Sequence, residues 1–179
     1  MQAVKLSGLQ RNCAEAGQGS YRRATGLRMD GPAVYLQAPG RRHRGQVMQL
    51  AVYVNFRGSC EEAFRFYREH LGAELEGEIR RHGEVPNPNI PADWADKVLH
   101  ARMRLGSTIL MGADVPAAEP MRSSYLTIFA DAEAEAERVY RELAGGGEVF
   151  MELQQTPFAN RFAMLRDRFG ANWMLLHQP

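Results

Sequence analysis

The sequence predicts an α+β fold in which two strand-helix-strand-strand-strand modules form an open, curved, mixed sheet around a cleft. Two observations support this prediction. Residues 49–115 and 123–178 show strand and helix patterns in the same order, and glycine-containing turns separate the segments at matching places. A pattern of strands and a helix that occurs twice identifies a fold more specifically than one copy of the pattern alone. Residues 48–179 are therefore expected to form one domain.

The first module begins with a strand, since Val52, Val54 and Phe56 alternate with Tyr53 and Asn55 at the two-residue period of a half-buried strand. If the three apolar side chains face a helix, Tyr53 and Asn55 face the cleft. Further strands are expected over residues 75–79, 98–105 and 108–111. A proline-rich loop at residues 85–91 separates the first of these strands from the other two.

Each module is expected to carry one helix after its first strand. Ser59 is a suitable N-cap and Gly72 a suitable C-cap for the first helix, which has acidic residues in its first turn. Asp131 is expected to cap the second helix, which extends to Ala144 before the glycines of residues 145–147. Apolar residues at helical spacing indicate that each helix covers one face of its module.

The second module is expected to place its strands over residues 125–130, 148–153, 161–165 and 172–176. Strand parity directs Tyr125, Thr127 and Phe129 toward the cleft, opposite Tyr53 and Asn55. The predicted cleft has aromatic walls and few polar groups, which is the usual composition of a small-molecule site.

His100 is the first candidate functional residue, since the core face of its strand leaves it pointing toward the cleft. An imidazole can act as a general base or orient a substrate at neutral pH, and a hydrogen-bonded structural histidine is the alternative. Asp114 is a candidate carboxylate partner or ligand contact, with turn chemistry at a strand end as the alternative. Gln155 is a candidate hydrogen-bond donor at the cleft mouth, and parity favours a buried position for Trp173 over stacking on a ligand.

Charge is distributed unevenly along the 179 residues. Residues 1–47 contain 8 of the 22 basic residues and only 2 of the 21 acidic ones, a net charge of +6, whereas the remaining residues carry a net charge of −5. The first 47 residues also lack a sustained period, so we expect a solvated basic extension or an early assigned start, with a nucleic-acid or membrane arm as the alternative. The acidic domain makes nucleic acid an unlikely partner.

The two cysteines, Cys13 and Cys60, have no metal-ligand or disulfide-framework spacing, so both are expected to be free thiols. No apolar run is long enough to span a bilayer, and the first 20 residues lack the apolar core of a secretory signal. We therefore expect a cytoplasmic protein without a membrane partner.

Four runs resemble the PhnB-like branch of the vicinal oxygen chelate superfamily, which includes glyoxalases, bleomycin resistance proteins and extradiol dioxygenases. They are VNFRGSCEEAFRFY at residues 54–67, LHA at 99–101, LMGAD at 110–114 and DRFGANWM at 167–174. The resemblance covers nearly all of residues 48–179 and implies the two-module fold, a cleft and a homodimer. It does not specify the chemistry, since one fold hosts several functions.

The metal-dependent members of that superfamily carry a His near the start of each module's first strand and a Glu on each module's last strand. The matching positions here fall near Ala51 or Val52, Leu110 or Met111, Tyr125 and Met174, none of which is a suitable ligand for a hard metal. The resemblance therefore predicts that the inherited metal site is absent and that no cofactor is bound. A second departure is TPFAN at residues 156–160, where relatives resemble Thr-Phe-Trp-Gly.

Three functions follow from these observations. The first is a binding protein that sequesters or carries a small metabolite or drug without turnover, using Tyr53, Asn55, His100, Asp114, Thr127, Phe129 and Gln155. The second is a glyoxalase- or lyase-type enzyme that uses His100 with or without a metal. The third is a dimerising module whose cleft is vestigial.

Overall fold

A computed structural model of the chain describes residues 50–85 and 87–178. The predicted basic extension, residues 1–47, lies outside these ranges, as does Cys13. Within them Cys60 is a buried free thiol, as the sequence predicts.

The first module contains one helix and five strands. Its elements are β1 (Val52–Phe56), α1 (Cys60–Leu71), β2 (Glu74–Leu75), β3 (Arg80–Arg81), two 3-10 helices (His82–Glu84 and Ala92–Trp94), β4 (Val98–Leu105) and β5 (Thr108–Asp114). The bounds of β4 match the prediction. The single strand expected over residues 75–79 is wrong, because Gly77 adopts a φ of +78° that interrupts extended backbone and leaves two strands of two residues each.

The second module contains one helix and four strands. Its elements are β6 (Leu126–Phe129), α2 (Glu133–Ala144), β7 (Glu148–Thr156), β8 (Ala159–Arg166) and β9 (Asn172–His177). The strands of this module all lie at the predicted places, with β7 and β8 longer than expected.

Both modules have the same sheet topology. In the first, the strand order is β1-β5-β4-β2 with β3 also paired to β4, and in the second it is β6-β9-β8-β7. The first strand of each module pairs in parallel with the last, and the other pairings are antiparallel. The predicted fold class, α+β with two repeated modules and open mixed sheets, is confirmed.

The start of α1 is held by a distant carboxylate and not by the predicted cap. Ser59 makes no side-chain capping bond. The backbone N–H of Cys60 instead donates to Asp114 Oδ1 at 2.9 Å, and the N–H of Val98 donates to Oδ2 at the same distance. Asp114 at the end of β5 therefore joins the first turn of α1 to the first residue of β4. The predicted C-cap is confirmed, because Gly72 has a left-handed φ of +70°.

The predicted cap of the second helix is wrong. Ala132, not Asp131, precedes the first residue of α2, and it makes no side-chain capping bond. The backbone N–H of Asp131 donates to Glu135 Oε2 at 3.2 Å, so an acidic side chain of the first turn satisfies a backbone donor just outside the helix.

The segment between β3 and β4 lies against the start of α1. The imidazole of His82 donates from Nε2 to the backbone oxygen of Asp114 at 2.9 Å, and Lys97 Nζ donates to the backbone oxygen of Gly58 at 2.8 Å. Arg81 forms an ion pair with Glu61 at 3.0 Å. These three contacts therefore attach the segment to the start of α1 and to the end of β5.

The core of the first module is tightest where α1 crosses β5. A Cβ atom at Gly112 would lie 3.0 Å from the side chains of Phe56, Cys60 and Phe64, which is closer than ordinary van der Waals contact. Glycine at this position lets the helix approach the sheet closely.

One buried carboxylate joins the two modules. Asp167 Oδ2 accepts hydrogen bonds from Tyr67 Oη of α1 at 2.6 Å and from Trp173 Nε1 of β9 at 2.8 Å. Its Oδ1 accepts two backbone N–H groups, from Phe169 and Ala171. Trp173 is buried, as its parity predicts, and it packs edge-on against Tyr67. The modules therefore meet through a fully hydrogen-bonded acid beneath α1.

Candidate functional site

The face of the first sheet that points away from α1 carries the predicted polar residues. Pairing places Tyr53 of β1 beside Met111 of β5, and Met111 beside Arg102 of β4, so these side chains share one face. His100 lies two residues before Arg102 and therefore points to the same side. We call this surface the open face of the first module.

Tyr53 and His100 contact each other on this face, across β5. Tyr53 Oη lies 3.3 Å from His100 Nδ1, and the two rings stack with centroids 5.9 Å apart and planes inclined by 26°. Tyr53 keeps 40% of its surface exposed. The pair therefore presents a flat aromatic surface to solvent with one imidazole edge available.

Both members of the pair are uncharged at neutral pH. Burial lowers the pKa of His100, and the nearby charge of Arg102 lowers it further. Burial also raises the pKa of Tyr53, with a smaller contribution from Cys60. The surface consequently offers a neutral imidazole and a neutral phenol.

Ion pairs border the aromatic pair on the β2 side. Arg102 contacts Glu76 at 2.8 Å, and Arg104 contacts Glu76 at 3.2 Å and Glu74 at 2.6 Å. These side chains are between 31% and 70% exposed, so their contribution to stability is small. Their effect is to hold the Arg102 guanidinium in place beside His100.

The predicted residue Asn55 is exposed on the same face, two positions along β1 from Tyr53. The structure therefore brings together three of the predicted residues, Tyr53, Asn55 and His100.

Asp114 does not join them. Its side chain is 1% exposed and points toward α1, where both carboxylate oxygens bind backbone N–H groups. The prediction that Asp114 contacts a ligand or pairs with His100 is therefore corrected to a structural role. Strand parity explains the error, because Asp114 lies on the same side of β5 as the buried Gly112.

The predicted residues of the second module lie on a different sheet. Thr127 donates weakly to Met174 Sδ at 3.8 Å, Phe129 is 68% exposed, and Gln155 is exposed on β7. The contacts between the modules run through α1, with Phe66 packing on Phe169 and Tyr67 on Trp173. The sequence predicts that the two sets of residues face each other across one cleft, whereas the structure places none of these three against Tyr53 or His100.

The second module exposes more apolar side chains than its sequence pattern predicts. Large apolar side chains stand exposed at Phe129, Phe150, Met151 and Phe158. Phe150 lies under the guanidinium of Arg166 at 5.2 Å and packs edge-on against Tyr125. Register shifts in the β7–β8 pairing lie on both sides of Met151. The alternation of apolar and polar residues therefore does not predict which of these side chains point outward.

A shallow groove lies elsewhere, on the outer side of α1. It is lined by Glu61, Phe64, Arg65, Arg68, Leu75 and Ile79. None of the predicted site residues contributes to it, so it is distinct from the open face.

The positions that bear metal ligands in the metal-dependent relatives do not fit a metal here. The matching positions Val52 and Leu110 pair with each other, and the matching position Met174 pairs with Thr127, so none of these three positions holds a carboxylate or an imidazole. In residues 50–85 and 87–178, no three His, Cys, Asp or Glu side chains are grouped closely enough to hold an ion. Carboxylate oxygens and imidazole nitrogens are the usual ligands of divalent metals in such sites. The function proposed below therefore involves no metal step.

The model of one protein family matches residues 49–175, which is most of the chain and includes both modules. Its description is the glyoxalase/bleomycin resistance protein/dioxygenase superfamily. The chain belongs to this superfamily. Within the superfamily it falls in the PhnB-like branch, as the sequence motifs indicate.

Individual relatives agree with that placement. Protein YjdN of Escherichia coli K12 is 30% identical over 138 residues, which cover 72% of this chain and 94% of YjdN. The crystal structure of protein PA1353 from Pseudomonas aeruginosa is 41% identical, covers 74% of this chain and 98% of that one, and has a TM-score of 0.65.

A third relative carries a functional name. The PhnB protein from Bacillus cereus, described as a putative 3-demethylubiquinone-9 3-methyltransferase, is 26% identical, with a TM-score of 0.62 over 73% of this chain and 99% of that one. Among the described residues, neither helix is both long and apolar enough to cross a membrane.

Proposed function

We propose that this protein of the glyoxalase superfamily binds a small metabolite or drug on the open face of its first module, and sequesters or carries it without turnover. The stacked, uncharged Tyr53–His100 pair is the observation that supports this proposal most directly. Aromatic surface supplies affinity by burial and stacking, and a few polar groups orient the ligand. His100 and Asn55 are the orienting groups on this face.

The same proposal includes a cytoplasmic homodimer. We call the face of the second sheet that points away from α2 the open face of the second module. It presents Phe129 at 68% exposure, and Phe150 on β7 and Phe158 in the turn after β7 are exposed as well. Exposed apolar patches of this kind mark interaction surfaces in soluble proteins. A second copy of the chain would cover this patch and bring Thr127, Phe129 and Gln155 near a bound ligand.

A screen of metabolites, drugs and divalent ions by thermal unfolding tests the function. A ligand that binds only the folded state raises the melting temperature by mass action. We expect organic ligands and not metal ions to do so, and we expect chelator to change neither stability nor binding. His100→Ala should weaken ligand binding with little loss of stability, because the ring lies on a partly exposed face.

One tightly bound metal per chain, lost together with an activity in His100→Ala, would overturn this proposal. It would support the second candidate, a glyoxalase- or lyase-type enzyme, which the neutral imidazole of His100 favours because an unprotonated ring is able to accept a proton. The methyltransferase name of the Bacillus relative does not enter the proposal. The only run of glycines in the sequence, residues 145–147, follows a helix, whereas a cofactor-binding glycine loop precedes one.

A further inference from the structure

In the hydrogen bond between Tyr53 and His100, one group donates and the other accepts. This assignment determines whether the other ring nitrogen, Nε2, offers a ligand a donor or an acceptor. Tyr53 Oη faces His100 Nδ1 at 3.3 Å. A phenol donates its proton readily, whereas its oxygen is a poor acceptor because its lone pair is shared with the ring. With a neutral imidazole, the favoured arrangement therefore has the phenol O–H donating to Nδ1.

An imidazole that accepts at Nδ1 carries its proton at Nε2, because neutral histidine has one N–H and one lone pair. We propose that Tyr53 holds His100 in the Nε2–H form, so that the open face binds flat molecules bearing an oxygen acceptor such as a carbonyl or carboxylate. This inference rests on the proposed function and names the chemical class of its ligand. Tyr53 is then a positioning residue, which acts through His100.

The charged groups around His100 favour the same ligand class. Arg102, on the same strand, adds positive potential at the imidazole, and it is held in place by Glu76. Arg80, the register partner of His100 on β3, is paired with Glu84. A cationic ligand would meet the Nε2–H donor and the Arg102 guanidinium, while the carboxylates of Glu76 and Glu84 are already paired with arginines. A ligand with an oxygen acceptor would instead meet hydrogen-bond donors.

The same geometry disfavours proton abstraction by His100. Its Nε2 already bears a proton and its Nδ1 lone pair accepts the phenol O–H, so His100 acts as a base only after the Tyr53 contact is broken. The tautomer therefore separates the binding function from the enzymatic alternative.

Two other histidines of the chain serve as references for measuring the tautomer of His100. His82 donates from Nε2 to a backbone carbonyl, and His177 donates from Nδ1 to the carbonyl of Ala130 at 2.9 Å. Ring-nitrogen chemical shifts of protein labelled with nitrogen-15 histidine distinguish these two forms. At pH above the histidine range, we expect His100 to share the pattern of His82, with its signals assigned by their loss in His100→Gln.

Tyr53→Phe keeps the ring and removes the hydroxyl, so His100 should shift to a mixture of tautomers. Tyr125→Phe is the matched control, since it removes a phenol from the second module and should leave His100 unchanged. A His100 spectrum of the His177 type in the wild-type protein would overturn the inference, as would an unchanged His100 spectrum in Tyr53→Phe.

Benzoate, benzamide and benzylamine test the ligand class on the same labelled protein. The first two carry an oxygen acceptor and should shift His100 Nε2, whereas benzylamine should not. Affinity for benzoate should fall roughly threefold to tenfold in Tyr53→Phe. If neither acceptor shifts His100, the ligand class is overturned, whatever benzylamine does. Failure of the proposed function is distinguishable, because it would appear as a thermal screen without any stabilising organic compound.

Discussion

The two modules share a topology but differ in the side chains that their helices bury. In the first, the helix buries Phe64, Phe66 and Tyr67, and the sheet beneath it has Gly112. In the second, the helix buries only Ala136, Val139 and Leu143, and the sheet supplies bulk at Leu165, Trp173 and Leu175. The repeat therefore preserves strand order while the size of the side chains that the helix buries differs.

The open faces differ in the same way. The first presents a neutral aromatic pair bordered by ion pairs, and the second presents exposed phenylalanines. Polar groups that orient a ligand lie on one module, and apolar surface suited to association lies on the other. The predictions below test this division of roles, beginning with the link between the modules.

Asp167→Ala should have the largest effect. The change leaves four donors without their acceptor: the buried groups of Tyr67, Trp173 and the Ala171 backbone, and the partly buried Phe169 backbone N–H. We expect a loss of about 4 kcal/mol in the free energy of unfolding, measured in urea. Asp131→Ala, at an exposed acid before α2, is the control and should cost less than about 0.5 kcal/mol. Similar small losses in both variants would show that the acid does not join the modules.

Gly112→Ala should have the next largest effect, because its Cβ would lie 3.0 Å from three buried side chains. We expect a loss of about 1–3 kcal/mol by the same urea measurement. In the second module, Gly145→Ala would meet only ordinary contacts at 3.4 Å or more and should change stability by less than about 0.5 kcal/mol. Equal effects would contradict the close approach of α1 to β5 at Gly112.

Phe129→Ser should weaken the proposed dimer by about tenfold or more without unfolding the chain, because the side chain is exposed in the single chain. Sedimentation over a range of protein concentrations measures the change. Leu75→Ser, at a similarly apolar but less exposed position of the first module, is the control and should leave the dimer intact. Wild-type protein that sediments only as a monomer at micromolar concentration would reject the dimer itself.

The smallest effect concerns pH. The pKa of His100 is lowered in the folded state, so the unfolded chain binds a proton first as pH falls below about 6.5, and stability decreases there until the folded pKa is passed. His100→Gln removes this contribution, so its melting temperature should fall less than that of the wild type between about pH 7.5 and 5. If the melting temperatures of the wild type and of His100→Gln fall equally between these pH values, His100 is as solvated in the folded chain as in the unfolded one.

Local patterns predicted most of the fold. Alternation located β1 and the full length of β4, and glycine located the end of α1, because these features depend on neighbours in sequence. The split of the second strand at Gly77 was missed, since a glycine within an alternating stretch does not by itself reveal its φ.

The site was predicted only in part for a related reason. Parity was sufficient to place Tyr53, Asn55 and His100 on one face. Parity also puts Asp114 on the buried side of β5, but it does not identify the hydrogen-bond partners of Asp114 or of the acid at position 167, which lie up to 100 residues away in sequence. Long-range hydrogen bonds of this kind leave no periodic signal.

The position of Asp114 at the end of its module also has a consequence for synthesis on the ribosome. Its two oxygens and its backbone carbonyl bind Cys60, Val98 and His82, all of which leave the ribosome earlier. The growing chain therefore lacks the acceptor for the start of α1 until the last residue of β5 has emerged. A pause in translation before that residue prolongs the time during which the first helix is exposed without its capping carboxylate.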